Sequence, residues 1–198
     1  MYVQSLRISG FTSFKDVIWK PERLNVLIGP NGSGKSNLLR ALELIRASAA
    51  GNLRDFVLSK GGLPRLLWGE LAQQIDFDID TGITPNQPPA EQHTYHFTLV
   101  PVAQSASFRV VSEALGFEGP STPFGVLDRD ENGLTVFKGD SELVRDRVKH
   151  LPVSETALSM VSALWIHPAP YLLQQLLRHG PSTKIFTWAK TRQFAGPL

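Results

Sequence analysis

The feature that most constrains this chain is a glycine-rich string at residues 29–36, which reads Gly-Pro-Asn-Gly-Ser-Gly-Lys-Ser. A largely apolar run at 24–28 comes directly before it, and leucine and isoleucine recur at helical spacing over 38–45 after it. Glycine permits the left-handed dihedrals and the close main-chain approach that a tight turn between a strand and a helix needs. The sequence therefore predicts a strand, a loop of inward-pointing N–H groups and a helix, in that order.

The constrained positions of this string each have a chemical role in binding a triphosphate. The string matches the pattern G-x-x-x-x-G-K-[ST], in which the lysine reaches the β- and γ-phosphates and the hydroxyl residue can ligate Mg²⁺. Those two positions are Lys35 and Ser36. The start of the following helix adds a partial positive charge. A nucleoside triphosphate site with Mg²⁺ is therefore predicted, and the alternative is a glycine-rich turn with an incidental lysine.

Composition excludes several classes of protein. The 198 residues are 42% hydrophobic and 19% charged, which is ordinary for a globular domain with a sizeable core. Without cysteine there is no disulfide framework, no thiolate metal site and no cysteine nucleophile. The N-terminus has no basic leader before an apolar core, and no apolar run approaches eighteen residues. We therefore expect a cytoplasmic protein that does not contact a membrane.

Charge is unevenly spread along the chain. Residues 1–65 hold ten Lys or Arg against four Asp or Glu, whereas residues 66–148 hold five against thirteen. A basic N-terminal third suits partners that carry phosphate, whether nucleotide or nucleic acid. No run of basic residues stands out, so charge alone gives only weak support for DNA contact, and a solvated mixed surface explains it equally.

Hydrophobic periodicity divides the chain into three segments. Residues 1–70 are predicted to hold an opening strand, a turn at 11–14, an antiparallel return strand and the helix after the loop, which ends at Gly51. Residues 71–140 alternate with a period of two and predict an antiparallel sheet that includes a hairpin turning at 130–133.

The last segment, 150–198, is predicted to be helical. Ser154 is expected to cap one helix and Pro170 to lie in the first turn of another.

Three short stretches carry a resemblance to a known family. Residues 6–16 read Leu-Arg-Ile-Ser-Gly-Phe-Thr-Ser-Phe-Lys-Asp, the apolar run follows at 24–28, and Asn37 comes directly after the glycine-rich string. Together they resemble the N-terminus of ABC-type ATPases of the SMC and RecF kind and, more narrowly, the AAA-like ATPases grouped with the OLD family. The resemblance implies an α/β fold: the N-terminal lobe of a P-loop NTPase, with an antiparallel β-subdomain and C-terminal helices.

The resemblance also implies how ATP and Mg²⁺ would bind. Adenine would lie near the turn at 12–14 and the triphosphate across 31–37. Many relatives hold a basic residue where this chain has Thr12, so that charge contact is not expected here. The expected nucleotide-contacting residues are Ser13, Gly29, Pro30, Asn31, Gly32, Ser33, Gly34, Lys35, Ser36 and Asn37, with Ser36 also the Mg²⁺ ligand.

In the family, hydrolysis needs two facing heads, each with a Walker B strand and a signature loop. Asp128 and Glu131 are poor Walker B candidates, because only two apolar residues precede Asp128. The string at 58–62 mimics a signature loop but comes too early in the chain, and a glycine turn is the better interpretation. Gln73, Gln74 and Gln104 are all candidates for the Q-loop glutamine. No catalytic residue is assigned.

The chain as a whole, 1–198, is interpreted as one incomplete ATPase head. The missing parts would come from a C-terminal lobe or from another polypeptide, and the active form would be a homodimer that sandwiches ATP. An alternative is an ATP-gated dimerisation or DNA-binding module without turnover. A kinase or GTPase is the other alternative, although no Asn-Lys pair for a GTPase base-reading motif occurs.

Two further clusters suggest metal sites, but neither has the arrangement of ligands that such a site requires. Asp76, Asp78 and Asp80 share a strand face, yet the glycine and glutamate of a calcium loop are not at the required positions. His93 and His96 lack further zinc ligands. A solvated strand face is the expected outcome.

Overall fold

The computed structural model describes residues 2–22, 24–69, 71–82, 92–103, 105–118, 123–131, 133–136, 151–160, 168–179 and 184–189. The strands are β1 (Tyr2–Phe11), β2 (Phe14–Trp19), β3 (Leu24–Gly29), β4 (Ile75–Gly82), β5 (Gln92–Pro101), β6 (Phe108–Glu118), β7 (Pro123–Asp130), β8 (Gly133–Val136) and β9 (Lys184–Ala189). The helices are α1 (Lys35–Ala50), α2 (Leu53–Ser59) and α3 (Pro168–His179), with short 3₁₀ helices at Leu63–Leu66 and Ala157–Met160.

An antiparallel sheet forms the larger part of the described fold. Its seven strands lie in the order β2-β1-β4-β5-β6-β7-β8, which confirms the antiparallel sheet and the hairpin predicted from the period of two. Phe77 on β4 pairs with Phe97 on β5, and their rings stack with centroids 4.9 Å apart on the buried face. Because β1 and β2 join this sheet, the N-terminal hairpin and the strands of 71–140 share one layer. The division into three segments stays a prediction.

Helix α1 follows the loop as predicted and covers the core with one face. Leu38, Ala41, Leu44 and Ile45 are buried at helical spacing. The helix ends at Gly51, whose φ of 76° is left-handed, and the next N–H returns to the carbonyl of Ala47. Among the residues described, no helix is both long and apolar enough to cross a membrane.

The C-terminal segment differs from its prediction in two places. A 3₁₀ helix at Ala157–Met160 stands where a longer helix capped by Ser154 was expected, and residues 161–167 of that expected helix lie outside the described residues. Helix α3 confirms the helix near Pro170, although it begins at Pro168. The prediction of helix is wrong for Lys184–Ala189, which form β9 and pair in parallel with β3. This pairing joins distant parts of the chain, and local periodicity cannot reveal it.

A connector at residues 151–160 joins the antiparallel sheet to the far end of α1. On the sheet side, the buried carboxylate of Glu113 accepts hydrogen bonds from the N–H groups of Ala157 (2.6 Å) and Leu158 (2.9 Å). On the helix side, the Thr156 hydroxyl donates to the carbonyl of Ser48 at 2.8 Å. Tertiary hydrogen bonds to Glu113 therefore hold this segment in its 3₁₀ turn.

The same connector also caps α2. The carboxylate of Glu155 accepts hydrogen bonds from the N–H groups of Leu53 (3.1 Å) and Arg54 (3.0 Å) at the start of that helix. Partial burial raises the pKa of Glu155, and these two N–H groups act against the rise.

Candidate phosphate-binding site

The glycine-rich loop lies between β3 and α1, as the sequence predicts. Gly32 and Gly34 have φ values of 85° and 90°, in the left-handed region that favours glycine. A Cβ built on Gly34 would sit 3.1 Å from a ring carbon of Phe14 and 3.3 Å from Oγ of Ser13. Glycine is therefore required at position 34, because its φ is left-handed and because the β1–β2 turn leaves little room for a Cβ.

The N-terminus of α1 has the electrostatics of an anion site. Gly34 is its N-cap and contributes no side-chain cap, and no acidic residue lies in the first turn. The N–H groups of a first helical turn have no acceptor within the helix, and the helix dipole adds partial positive charge there. Neither a capping side chain nor a carboxylate neutralises this end, so an anion can take that place.

The amine of Lys35 lies over the loop. It donates to the carbonyls of Gly29 (2.7 Å) and Pro30 (2.8 Å) and to the hydroxyl of Ser33 (3.2 Å). A triphosphate would replace some of these acceptors with phosphate oxygens. The loop surrounds an open cavity of about 440 Å³, lined by Asn31, Gly32, Ser33, Gly34, Lys35, Ser36, Asn37 and Leu39.

Ser36 is exposed and lines the cavity, where its hydroxyl could contact a metal ion bound to the phosphates of a ligand. Among the described residues, no group of three or more His, Asp or Glu side chains could hold a metal ion. Mg²⁺ commonly keeps several waters and binds through substrate phosphates, so one hydroxyl ligand from the protein suits this cation.

The turn between β1 and β2 packs beside the loop and lies outside the lining of the cavity. The amide Nδ2 of Asn37 donates to Oγ of Ser13 at 2.8 Å, which joins two predicted contact residues from distant positions. The turn is fixed by main-chain hydrogen bonds from Thr12 N–H to Leu66 and from Trp68 N–H to Gly10, both 2.8 Å. Thr12 has a φ of 47°, which is unusual for a β-branched residue.

Arg40 is a residue near the site that sequence reasoning missed. Its Nη1 donates to Oδ1 of Asn37 at 3.2 Å. The signal that could have found it is the spacing, because residues three apart on a helix are neighbours.

The candidates for hydrolysis are not part of the cavity wall. Asp128 and Glu131 are exposed on the β7–β8 hairpin, and neither lines the cavity. The string at 58–62 ends α2 in a glycine turn, where a Cβ on Gly62 would meet Ala106 at 2.9 Å.

The described residues do not identify which of the three candidates is the Q-loop glutamine. Gln74 donates to the carboxylate of Asp76 at 3.0 Å, Gln73 is exposed, and Gln104 lies outside the described residues.

The aspartate side chains of β4 form hydrogen bonds with side chains of the neighbouring strand β5. Oδ1 of Asp78 lies 2.7 Å from Nδ1 of His96, and the Thr98 hydroxyl donates to Asp76 at 2.8 Å. Thr94 likewise donates to Asp80 at 3.3 Å. This face is a partly exposed polar network, and His93 is buried away from it.

Sequence comparisons find a family model and relatives that match part of this chain. A family model described as "AAA domain, putative AbiEii toxin, Type IV TA system" matches residues 24–89. The chain is 36% identical over 92 residues to the chromosome partition protein Smc of Desulfitobacterium hafniense, a match that covers 43% of this chain and 8% of Smc. It is 34% identical over 61 residues to the DNA replication and repair protein RecF of Idiomarina loihiensis, covering 29% of this chain and 17% of RecF.

The chain thus spans less than a fifth of the length of either relative. Among solved structures, the SMC head domain from Thermotoga maritima superposes with a TM-score of 0.37 at 20% identity, covering 62% of this chain and 38% of that one. A superposition with so low a TM-score supports no conclusion, so the similarity rests on the sequence matches. They confirm the predicted resemblance: this chain is similar to the N-terminal part of an ATPase head of the SMC and RecF type.

Proposed function

We propose that this chain binds ATP with Mg²⁺ in the loop at 29–36. The observation that carries the proposal is the uncapped, acid-free N-terminus of α1 at the end of a glycine loop that also holds Lys35. The loop amides and Lys35 would hold the β- and γ-phosphates, and Ser36 would ligate the metal. Asn37 and its hydrogen-bond partner Ser13 would contact the nucleotide from the side of the β1–β2 turn.

We also propose that hydrolysis needs a further unit that docks beside β3. Leu24, Val26 and Ile28 are exposed by 56%, 53% and 69%, and they form one face of this strand. Among the described strands, β3 pairs only with β9. Parallel sheets are normally covered on both faces, so this apolar face suits a lobe that would supply the Walker B and signature elements. An ATP-sandwiched homodimer, DNA contact and a cytoplasmic location stay expectations.

A module that binds ATP without turnover is the second candidate. It is favoured by the position of Asp128 and Glu131, which leaves the described cavity without a lining carboxylate. Phosphate release distinguishes the two candidates: a gated module would self-associate with ATP and release none.

Binding is tested by titrating the chain with a fluorescent ATP analogue in Mg²⁺ and comparing Lys35→Ala with its parent. Charged hydrogen bonds contribute about 1.5–3 kcal/mol each, so we expect at least a tenfold weaker affinity. Lys20→Ala, at an exposed position outside the cavity lining, is the matched control and should bind like the parent. Equal affinity of Lys35→Ala and the parent would overturn the proposed site.

A further inference from the structure

Three side chains form a hydrogen-bonded series beside the phosphate loop. Arg40 donates from Nη1 to Oδ1 of Asn37 (3.2 Å), and Asn37 donates from Nδ2 to Oγ of Ser13 (2.8 Å). Asn37 lines the cavity, and Ser13 lies against Gly34 at the start of α1. Arg40 lies one helical turn beyond Asn37 and outside the lining of the cavity. Its hydrogen-bonded link to a ligand would therefore run through the other two.

The chemistry of Arg40 fixes the direction of this series. A guanidinium has donors and no acceptor, so the atom of Asn37 that faces it must be the amide oxygen. The amide nitrogen then faces Ser13, whose hydroxyl oxygen must accept. The Ser13 proton is consequently left for another acceptor. Without Arg40 the side-chain amide of Asn37 can flip, so that its oxygen accepts the Ser13 proton. That proton is then no longer available to a ligand.

In the part of the chain that the structure describes, Arg40 forms no ion pair with a carboxylate. The ion pairs found there involve Arg7, His96 and Arg129. The first turn of α1 contains no acid. Arg40 and Lys35 therefore give the loop end of this helix two cations, which favours a polyanionic ligand.

We propose that Arg40 is a positioning residue for the nucleotide. It holds the amide of Asn37 so that Ser13 donates its proton to an acceptor atom on the nucleotide. The acceptor is a phosphoryl oxygen or an atom of the nucleoside. This inference rests on the proposed function, since it needs a nucleotide in the loop.

The test measures dissociation constants for Mg²⁺–ATP by calorimetry with the full chain. We expect Arg40→Ala and Ser13→Ala each to weaken binding about three- to tenfold, the usual effect of one hydrogen bond. The double variant should be no weaker than the weaker single variant, because both changes remove the same donor. Arg40→Lys keeps donor-only chemistry and should bind better than Arg40→Gln, whose amide can also accept.

Arg46→Ala is the matched control, since Arg46 is exposed on the same helix and lies outside the cavity lining. Inorganic tripolyphosphate is the second ligand: an equal loss with it identifies a phosphoryl acceptor, and a loss with ATP alone identifies the nucleoside. Unchanged affinity in Arg40→Ala, additive losses in the double variant, or Arg40→Lys no better than Arg40→Gln overturns the inference. If the parent itself fails to bind ATP, the proposed function has failed; if Lys35→Ala alone loses binding, only the role of Arg40 has failed.

Discussion

The connector makes a strong prediction about stability, because it depends on a single buried carboxylate. Glu113 has no exposed surface and accepts three hydrogen bonds, two from the connector N–H groups and one from the Tyr95 hydroxyl at 2.8 Å. Arg129 lies 3.9 Å from the same carboxylate and donates to the connector carbonyls of Pro152 and Glu155. Removing Glu113 therefore leaves several buried groups without a partner.

The magnitude follows from these contacts. Each buried donor left unsatisfied costs about 1–3 kcal/mol. Glu113→Ala leaves three hydrogen-bond donors without an acceptor and creates a cavity. Relaxation of the connector recovers part of the lost free energy of unfolding. We expect the free energy of unfolding to fall by about 3–5 kcal/mol, the range seen when one partner of a buried charged pair is removed. Glu113→Gln keeps the shape and one acceptor oxygen, and about half of that loss is expected.

The assay is urea unfolding of the full chain, followed by circular dichroism and extrapolated to water. Tyr95→Phe is the companion variant, because it removes one donor without creating an unpaired group on the tyrosine; a loss of about 1–2 kcal/mol is expected. If Glu113→Ala costs less than about 1 kcal/mol, the carboxylate does not hold the connector, and the reasoning is refuted.

Three further predictions concern other parts of the chain. Burial raises the pKa of Glu113 above its ordinary value of 4.5, so the folded state binds more protons than the unfolded one. Stability should therefore fall as pH rises from 4.5 through the folded pKa, and Glu113→Gln should flatten that fall in urea titrations at several pH values. Thr12→Asn should stabilise the fold by about 0.5–1 kcal/mol, since asparagine tolerates left-handed dihedrals, whereas Thr12→Ala should not. Val26→Thr should change the free energy of unfolding by less than about 0.5 kcal/mol and reduce self-association in gel filtration; a loss above about 2 kcal/mol would show that β3 is covered.

Features encoded by neighbouring residues could be predicted from the sequence. The phosphate loop, helix α1 and the alternating strands depend on short-range spacing. The inward position of Glu113 does not follow from that spacing. The register of β5 and β6 shifts between Thr98 and Leu99, where an extra residue on β6 turns its later side chains over. Alternation counted from Val110 would place Glu113 in solvent, and only the paired strands reveal the bulge.

Other features depend on contacts between distant residues. Strand β9 is too short and too far from β3 for its parallel pairing to be predicted. The series through Arg40 needs the turn at 11–14 to be packed against α1, and the sequence alone does not place those two elements together.

The pairing of β3 with β9 has a consequence for the order of events during synthesis. Gly29, at the start of the glycine-rich loop, lies opposite Ala189, which follows it by 160 residues in the sequence. Closing so long a segment is entropically costly and slow, and the ribosome must translate as far as residue 189 before the pairing can form. A nascent chain would therefore carry the glycine-rich loop without the partner strand β9 until residue 189 has been synthesised.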